Sequence, residues 1–245
     1  MPFNKKSSFK KLIILLLTPI LLIGVFFFFV SDYYRADESS INEYIKDMNV
    51  NKLELYDGVF AYESSDSDIG FIFYPGGKVE FTSYEPLMYE LASNGITCIL
   101  IEMPFNLAFF NANAATKAMD YYPNISNWYI GGHSLGGSIA STYLETNSGL
   151  FKGLVLLASY STSDLSYQGL DIISIYGSED QVLNKKNYDK CKENLPSSLK
   201  EVVIEGGNHS YFGMYGKQDK DGEALILNEV QISLTANYIY EFMMG

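Results

Sequence analysis

The sequence predicts one α/β domain built on a mostly parallel, doubly wound sheet without a cap domain, preceded by a single transmembrane helix. Three observations carry this. Six short apolar runs alternate with stretches of helical period from residue 69 onward, a glycine-flanked serine stands where one run passes into a helix, and nineteen uncharged residues lie near the N-terminus. Apolar runs alternating with helices imply parallel β-α-β units, whose sheet is covered on both faces.

The uncharged stretch runs from Leu12 to Val30. As a helix it would be about 28.5 Å long, close to the hydrocarbon thickness of a bilayer. A cleavable signal peptide is the rival reading, but its apolar region is usually shorter and ends in small residues. Here Phe26 to Phe29 and Val30 run into Ser31-Asp32-Tyr33-Tyr34, which favours an uncleaved anchor. Lys5, Lys6, Lys10 and Lys11 precede the span, whereas Asp32, Asp37 and Glu38 follow it. The positive-inside rule then puts the N-terminus in the cytoplasm and the rest of the chain outside the cell membrane. The expected organisation is a basic segment and anchor over residues 1–31, a juxtamembrane linker over 32–50 and a globular domain over 51–245.

Composition narrows the partners. With 47% hydrophobic and 19% charged residues, the chain is neither a disordered tail nor a collagen-like fibre. Its formal net charge is −12, and residues 32–245 carry 13 basic against 29 acidic residues, a net of −16. Such a domain repels nucleic-acid phosphates and anionic lipid headgroups alike, so no nucleic-acid partner is expected and the helix alone is the tether. Cys98 and Cys191 are too few for a disulfide framework and lie in no metal-spaced cluster, so no metal site is expected.

A short helix is expected around Ile41 to Met48, then a strand pair over Lys52 to Glu63 turning at Asp57-Gly58. Strands follow at Ile69 to Tyr74, Ile96 to Ile101, Trp128 to Ile130, Leu154 to Leu157, Ile172 to Tyr176 and Val202 to Ile204. The helical stretches are Tyr84 to Ser93, closed by Asn94-Gly95, then Leu107 to Met119, Gly136 to Thr146, Asn184 to Asn194 and Glu223 to Met243. No repeat or low-complexity block divides them.

Gly131-Gly132-His133-Ser134-Leu135-Gly136-Gly137 contains G-x-S-x-G between a strand and a helix, the setting of a nucleophile elbow. A phosphate-binding turn is the competing reading, but the lysine it requires is absent. Serine is a weak nucleophile and needs a base. The chain has two histidines, and His133 lies within the elbow, where its side chain should point elsewhere. His209, in Glu205-Gly206-Gly207-Asn208-His209 beyond the last strand, remains as the base. Asp180, in the loop after the strand Asp171 to Tyr176, is the acid that would orient it, with Glu179 and Asp164 as competitors. Tyr211-Phe212 and Tyr215 either line a pocket mouth or pack, and Asp219 with Asp221-Gly222 reads as a solvated turn.

The elbow and the order Ser134, Asp180, His209 resemble the alpha/beta-hydrolase superfamily. From about Gly70 onward the chain is similar to the compact branch related to dienelactone hydrolases and small carboxylesterases. That resemblance implies an oxyanion hole from two backbone N–H groups, one on Leu135 and one in the loop Tyr74-Pro75-Gly76-Gly77-Lys78. Gly77 is the expected second donor and Lys78 its alternative, since Pro75 departs from the superfamily's usual His-Gly start. Dienelactone hydrolases use a cysteine nucleophile, so their substrate does not transfer to a serine elbow. The expectation is a serine hydrolase of a small-molecule carboxylic ester, with no cofactor. A peptidase or amidase on the same fold, or a catalytically silent surface-binding protein, are the alternatives. The segment Ala158 to Leu170 is too short for a helical cap, which implies an open pocket and short acyl chains.

Overall fold

A computed structural model describes residues 5–64 and 67–245, with side chains from Leu15 onward. It divides into two compact units, Met1–Tyr33 and Tyr34–Gly245. The first holds helix α1 (Lys5–Ser31), which contains Pro19. Among the described residues no helix is long and apolar enough to cross a membrane. Of the expected span, the side chains of Leu12 to Ile14 lie outside the described residues.

In the second unit, α2 (Glu38–Ile45) starts earlier than its periodicity predicts because Asp37 caps it, accepting from the Ser40 N–H at 3.1 Å. Its Ile41 is buried in the core, so residues 34–50, expected as a linker, pack as part of this unit.

One eight-stranded sheet organises the unit. Its strands are β1 (Asn51–Tyr56), β2 (Val59–Glu63), β3 (Ile69–Tyr74), β4 (Thr97–Ile101), β5 (Asn127–His133), β6 (Gly153–Leu157), β7 (Asp171–Gly177) and β8 (Lys200–Ile204). They lie in the order β1-β2-β4-β3-β5-β6-β7-β8, parallel throughout except where β2 pairs with β1 and β4. Alternation along each strand divides the core in two. Phe71, Phe73, Val155 and Leu157 face one layer, and Ile72, Tyr74, Leu154 and Leu156 face the other. Both faces are covered, which is why these strands read as unbroken apolar runs.

The covering helices are α3 (Glu85–Ser93), α4 (Ala114–Met119), α5 (Leu135–Asn147), α6 (Lys185–Cys191) and α7 (Asn228–Met244). Two differ from expectation. The helix expected over 107–119 is instead a turn at Ala108–Asn111 followed by the short α4. The Tyr74 hydroxyl, reaching out of β3, donates to Ala112 C=O at 2.7 Å and accepts from Ala115 N–H at 3.1 Å, taking the place of helical bonds at the break. α7 starts at Asn228 rather than near 223, because the preceding backbone is bonded elsewhere: Leu225 N–H donates to Gly206 C=O at 2.7 Å. Residues 158–170 form a loop without a helix.

Candidate active site

Strand order reverses at β3, which lies between β4 and β5, so the connections leaving β3 and β5 diverge and open a crevice at their carboxyl ends. Ser134 stands there, between β5 and α5, at φ 52° and ψ −119°. That conformation costs about 1–3 kcal/mol and persists only where surroundings enforce it. Ser134 N–H donates to Leu157 C=O at 2.9 Å, and Ser159 Oγ donates to Ser134 C=O at 2.7 Å. The motif's glycines are needed because β3 ends against the elbow. A Cβ on Gly136 would lie 2.1 Å from the Tyr74 carbonyl oxygen, and one on Gly132 would lie 2.5 Å from it.

His209 and Asp180 meet on the same side. The imidazole Nδ1–H donates to Asp180 Oδ2 at 2.9 Å, and both residues are buried. Asp180 Oδ1 accepts from the N–H groups of Val182 and Leu183 at 2.9 and 2.8 Å, which fixes the carboxylate. With Nδ1 protonated in that bond, Nε2 is the basic nitrogen. Nε2 is buried and has no hydrogen-bond partner among the described residues. Ser134 and His209 line one cleft of about 260 Å³, with Leu135, Ser138, Ser159 and Leu183. The Ser134–His209 hydrogen bond is not formed in this resting geometry; such bonds often tighten only once substrate is bound.

The competing acids are occupied otherwise. Asp164 is exposed and accepts from the side chain and N–H of Ser166, bonds that hold its carboxyl below the usual range. Glu179 accepts from the Ser178 hydroxyl. In the loop after β3, Gly76 N–H donates to Tyr84 Oη at 3.1 Å, Lys78 N–H to Asn106 C=O at 2.8 Å and Val79 N–H to Gly76 C=O at 3.3 Å. Among the described residues, the N–H of Gly77 and that of Leu135 have no acceptor. The two residues are neighbours, since a Cβ on Gly77 would lie 2.9 Å from Leu135 Cδ2.

Asp221 is not the solvated turn residue its sequence suggests. It is buried and clamps the histidine loop: Oδ1 accepts from His209 N–H at 3.2 Å and Gly222 N–H at 2.9 Å, and Oδ2 from Ser210 N–H at 2.9 Å. Gln231, on α7, completes the clamp by accepting from Asn208 N–H and donating to Asn208 C=O. An Asp-Gly pair twelve residues beyond the histidine is the only local trace of this role, and it signals a turn. Phe212 and Tyr215 pack in the core.

A wider cleft of about 890 Å³ lies at the sheet's other end, beside Glu63, Asp68 and Tyr122. Its two carboxylates already accept hydrogen bonds, Glu63 from Asn51 and Tyr122 and Asp68 from Asn127. Size therefore does not mark the site.

A mostly parallel sheet whose strand order reverses, with a strained serine elbow and an Asp-bound histidine at its carboxyl ends, defines the class: an α/β fold with its candidate site at the switch point. The sequence profile of the alpha/beta hydrolase family matches residues 70–233, and the chain belongs to that family, which supports a hydrolase. Among curated proteins no match was found. Of the solved structures similar to the chain, one is a predicted CIB-like hydrolase from Thermoplasma acidophilum, with TM-score 0.56 and 13% identity over 79% of this chain and 99% of that one. Another is TT1662 from Thermus thermophilus, with TM-score 0.59 and 13% identity over 81% and 100%. At that identity the likeness is one of fold.

Proposed function

We propose that the protein is a membrane-anchored serine hydrolase of carboxylic esters, working through an acyl-enzyme on Ser134. The observation that carries this reading is the Asp180–His209 bond, which leaves a buried, unpartnered Nε2 on the cleft that Ser134 also lines. His209 Nε2 takes the Ser134 hydroxyl proton as Oγ attacks the ester carbonyl carbon, and the carbonyl π electrons move to oxygen. The oxyanion accepts from the Leu135 and Gly77 N–H groups, preorganised donors of the kind worth about 10²–10³ in rate. Lys78 is the weaker candidate, because its N–H is bonded to Asn106. Collapse breaks the C–O bond, and the imidazolium protonates the departing alcohol. Water, deprotonated by the same nitrogen, then cleaves the acyl-enzyme and restores the serine. Asp180 orients the ring and stabilises its charged form.

The cleft's size and its lack of a helical cap favour short acyl chains; each CH₂ left in water forgoes about 0.8 kcal/mol. For the anchor, the support is the uncharged run from Leu12 to Val30 and the apolar side chains of α1 from Leu15 to Phe29, which are mostly exposed. The lysines before this run and the acids after it orient the catalytic unit to the outside.

Labelling the full chain with a fluorophosphonate, beside a Ser134→Ala control, tests the chemistry. Ser134-dependent label is expected, and its absence sinks the reading in favour of a silent binding protein. Protease added to intact cells should remove the catalytic unit; full protection reverses the orientation.

A further inference from the structure

His133 takes no part in the chemistry above, yet its ring is wholly buried beside the reacting groups, its centroid 4.6 Å from that of His209. Its Nδ1 lies 2.8 Å from the hydroxyl of Tyr84, which is also wholly buried and ends the turn Phe81–Tyr84 before α3. A phenol has one proton. Tyr84 Oη accepts from Gly76 N–H, and its own proton finds an acceptor in His133 Nδ1 when the neutral ring carries its proton on Nε2, which has no hydrogen-bond partner among the described residues. Burial, with His209 close by, holds the ring well below the usual imidazole range and so keeps it neutral, as that bond requires. The approach is close: a Cβ on Gly76 would lie 2.7 Å from both His133 Nδ1 and Tyr84 Oη.

Two buried hydrogen bonds in series thus join the loop after β3 to the residue immediately before the nucleophile. The far side of the loop is tied by Lys78 N–H to Asn106. Gly77 lies between the two ties, and among the described residues its N–H is the one in the loop without an acceptor.

We propose that Tyr84 and His133 are a positioning pair that sets the Gly77 N–H against the Leu135 N–H, so that the oxyanion hole is built from the elbow itself rather than from the loop alone. This rests on the serine-hydrolase reading. The pair touches no substrate and acts through Gly76, and its loss weakens the stabilisation of the tetrahedral intermediate without altering the base.

The test uses the full-length protein in detergent, with active sites counted by complete fluorophosphonate labelling and turnover measured on p-nitrophenyl acetate. In Tyr84→Phe, kcat per labelled site should fall about ten- to a hundredfold, the loss expected of a misplaced donor. KM should hold within about twofold, and affinity for a trifluoromethyl ketone, which mimics the tetrahedral adduct, should fall by the same factor as kcat. The acid limb of the pH profile should stay where it is, because Asp180 and His209 are untouched. His133→Leu should behave like Tyr84→Phe, whereas His133→Asn, whose amide oxygen can accept the Tyr84 proton, should recover most of the rate. Wild-type kcat per labelled site in Tyr84→Phe, even with lowered thermal stability, overturns the proposal and leaves the pair a core hydrogen bond. Should Tyr84→Phe yield no labelled sites, the two His133 variants decide: equal rates in both, or an acid limb displaced in His133→Leu, also overturn it. A wild-type protein that takes no Ser134-dependent label fails at the earlier step, and the parent reading falls with it.

Discussion

The proposed nucleophile and the proposed base are held in opposite ways. Ser134 is fixed by close steric approach: glycines on either side let β3 press against the elbow, with Tyr74 C=O where a Cβ on Gly136 would have to go. His209 is fixed by buried polar groups from elsewhere in the chain, namely Asp180 on its ring, Asp221 on its backbone and Gln231 on the residue before it. The first device is short-ranged and leaves a strained backbone, whereas the second is a network in which each member must be satisfied. The elbow should therefore fail abruptly when crowded, and the histidine loop by degrees as its acceptors are removed.

The largest effects come from the reacting groups at the two centres. Ser134→Ala and His209→Ala should each lower ester turnover by about 10⁶-fold, and the double variant should lose little more, because the pair acts as a unit. Double-variant losses that multiply would mean that the two regions do not share one reaction. Asp180→Asn should cost about 10⁴-fold in kcat by favouring the wrong imidazole tautomer, with substrate binding nearly unchanged.

Below these stand the supports. Gly136→Ala should break the steric device: the backbone contact at 2.1 Å must give, destabilising the fold by about 1–3 kcal/mol. The displaced nucleophile should lose about a hundredfold in kcat. Thermal melts and active-site titration separate the two, and an unaltered melt with full activity would show that the elbow yields more easily than its contacts imply. Asp221→Asn should act on the polar device, costing about 1–3 kcal/mol through backbone donors left unsatisfied. Its turnover should fall less than that of Gly136→Ala, and a larger fall would make the histidine loop the more brittle region. Asp164→Asn, at an exposed turn, should leave turnover unchanged and stability within about 0.5 kcal/mol. A large loss there would move the acid away from Asp180.

Legibility followed the same division. Ser134 and its glycines sit within seven residues and announce themselves by spacing. His209 emerged by scarcity, since a chain with two histidines leaves one for the base. Asp180 took its place as a loop acid at the carboxyl end of a strand, with Asp164 and Glu179 still in competition; only the three-dimensional structure shows the carboxylate on the imidazole. Asp221 is illegible in the sequence because its oxygens serve backbone groups eleven and twelve residues away, and an Asp-Gly pair looks the same in a solvated turn. The broken helix before α4 was invisible for a similar reason: its break is filled by Tyr74, thirty-eight residues upstream.

By itself, then, the sequence determined the alternation of strands and helices, the uncharged N-terminal run, the elbow and the chain order of the three candidate residues Ser134, Asp180 and His209. These are properties of local pattern, where period, glycine and charge act over a few residues. Tertiary structure decided which acid faces the histidine, which N–H in the loop after β3 stays unbonded, and that His133 and Asp221 are buried beside the site. The physical reason is that hydrogen-bond satisfaction is settled between segments distant in the chain, where every buried donor and acceptor must find its partner and only the folded arrangement determines which ones remain free.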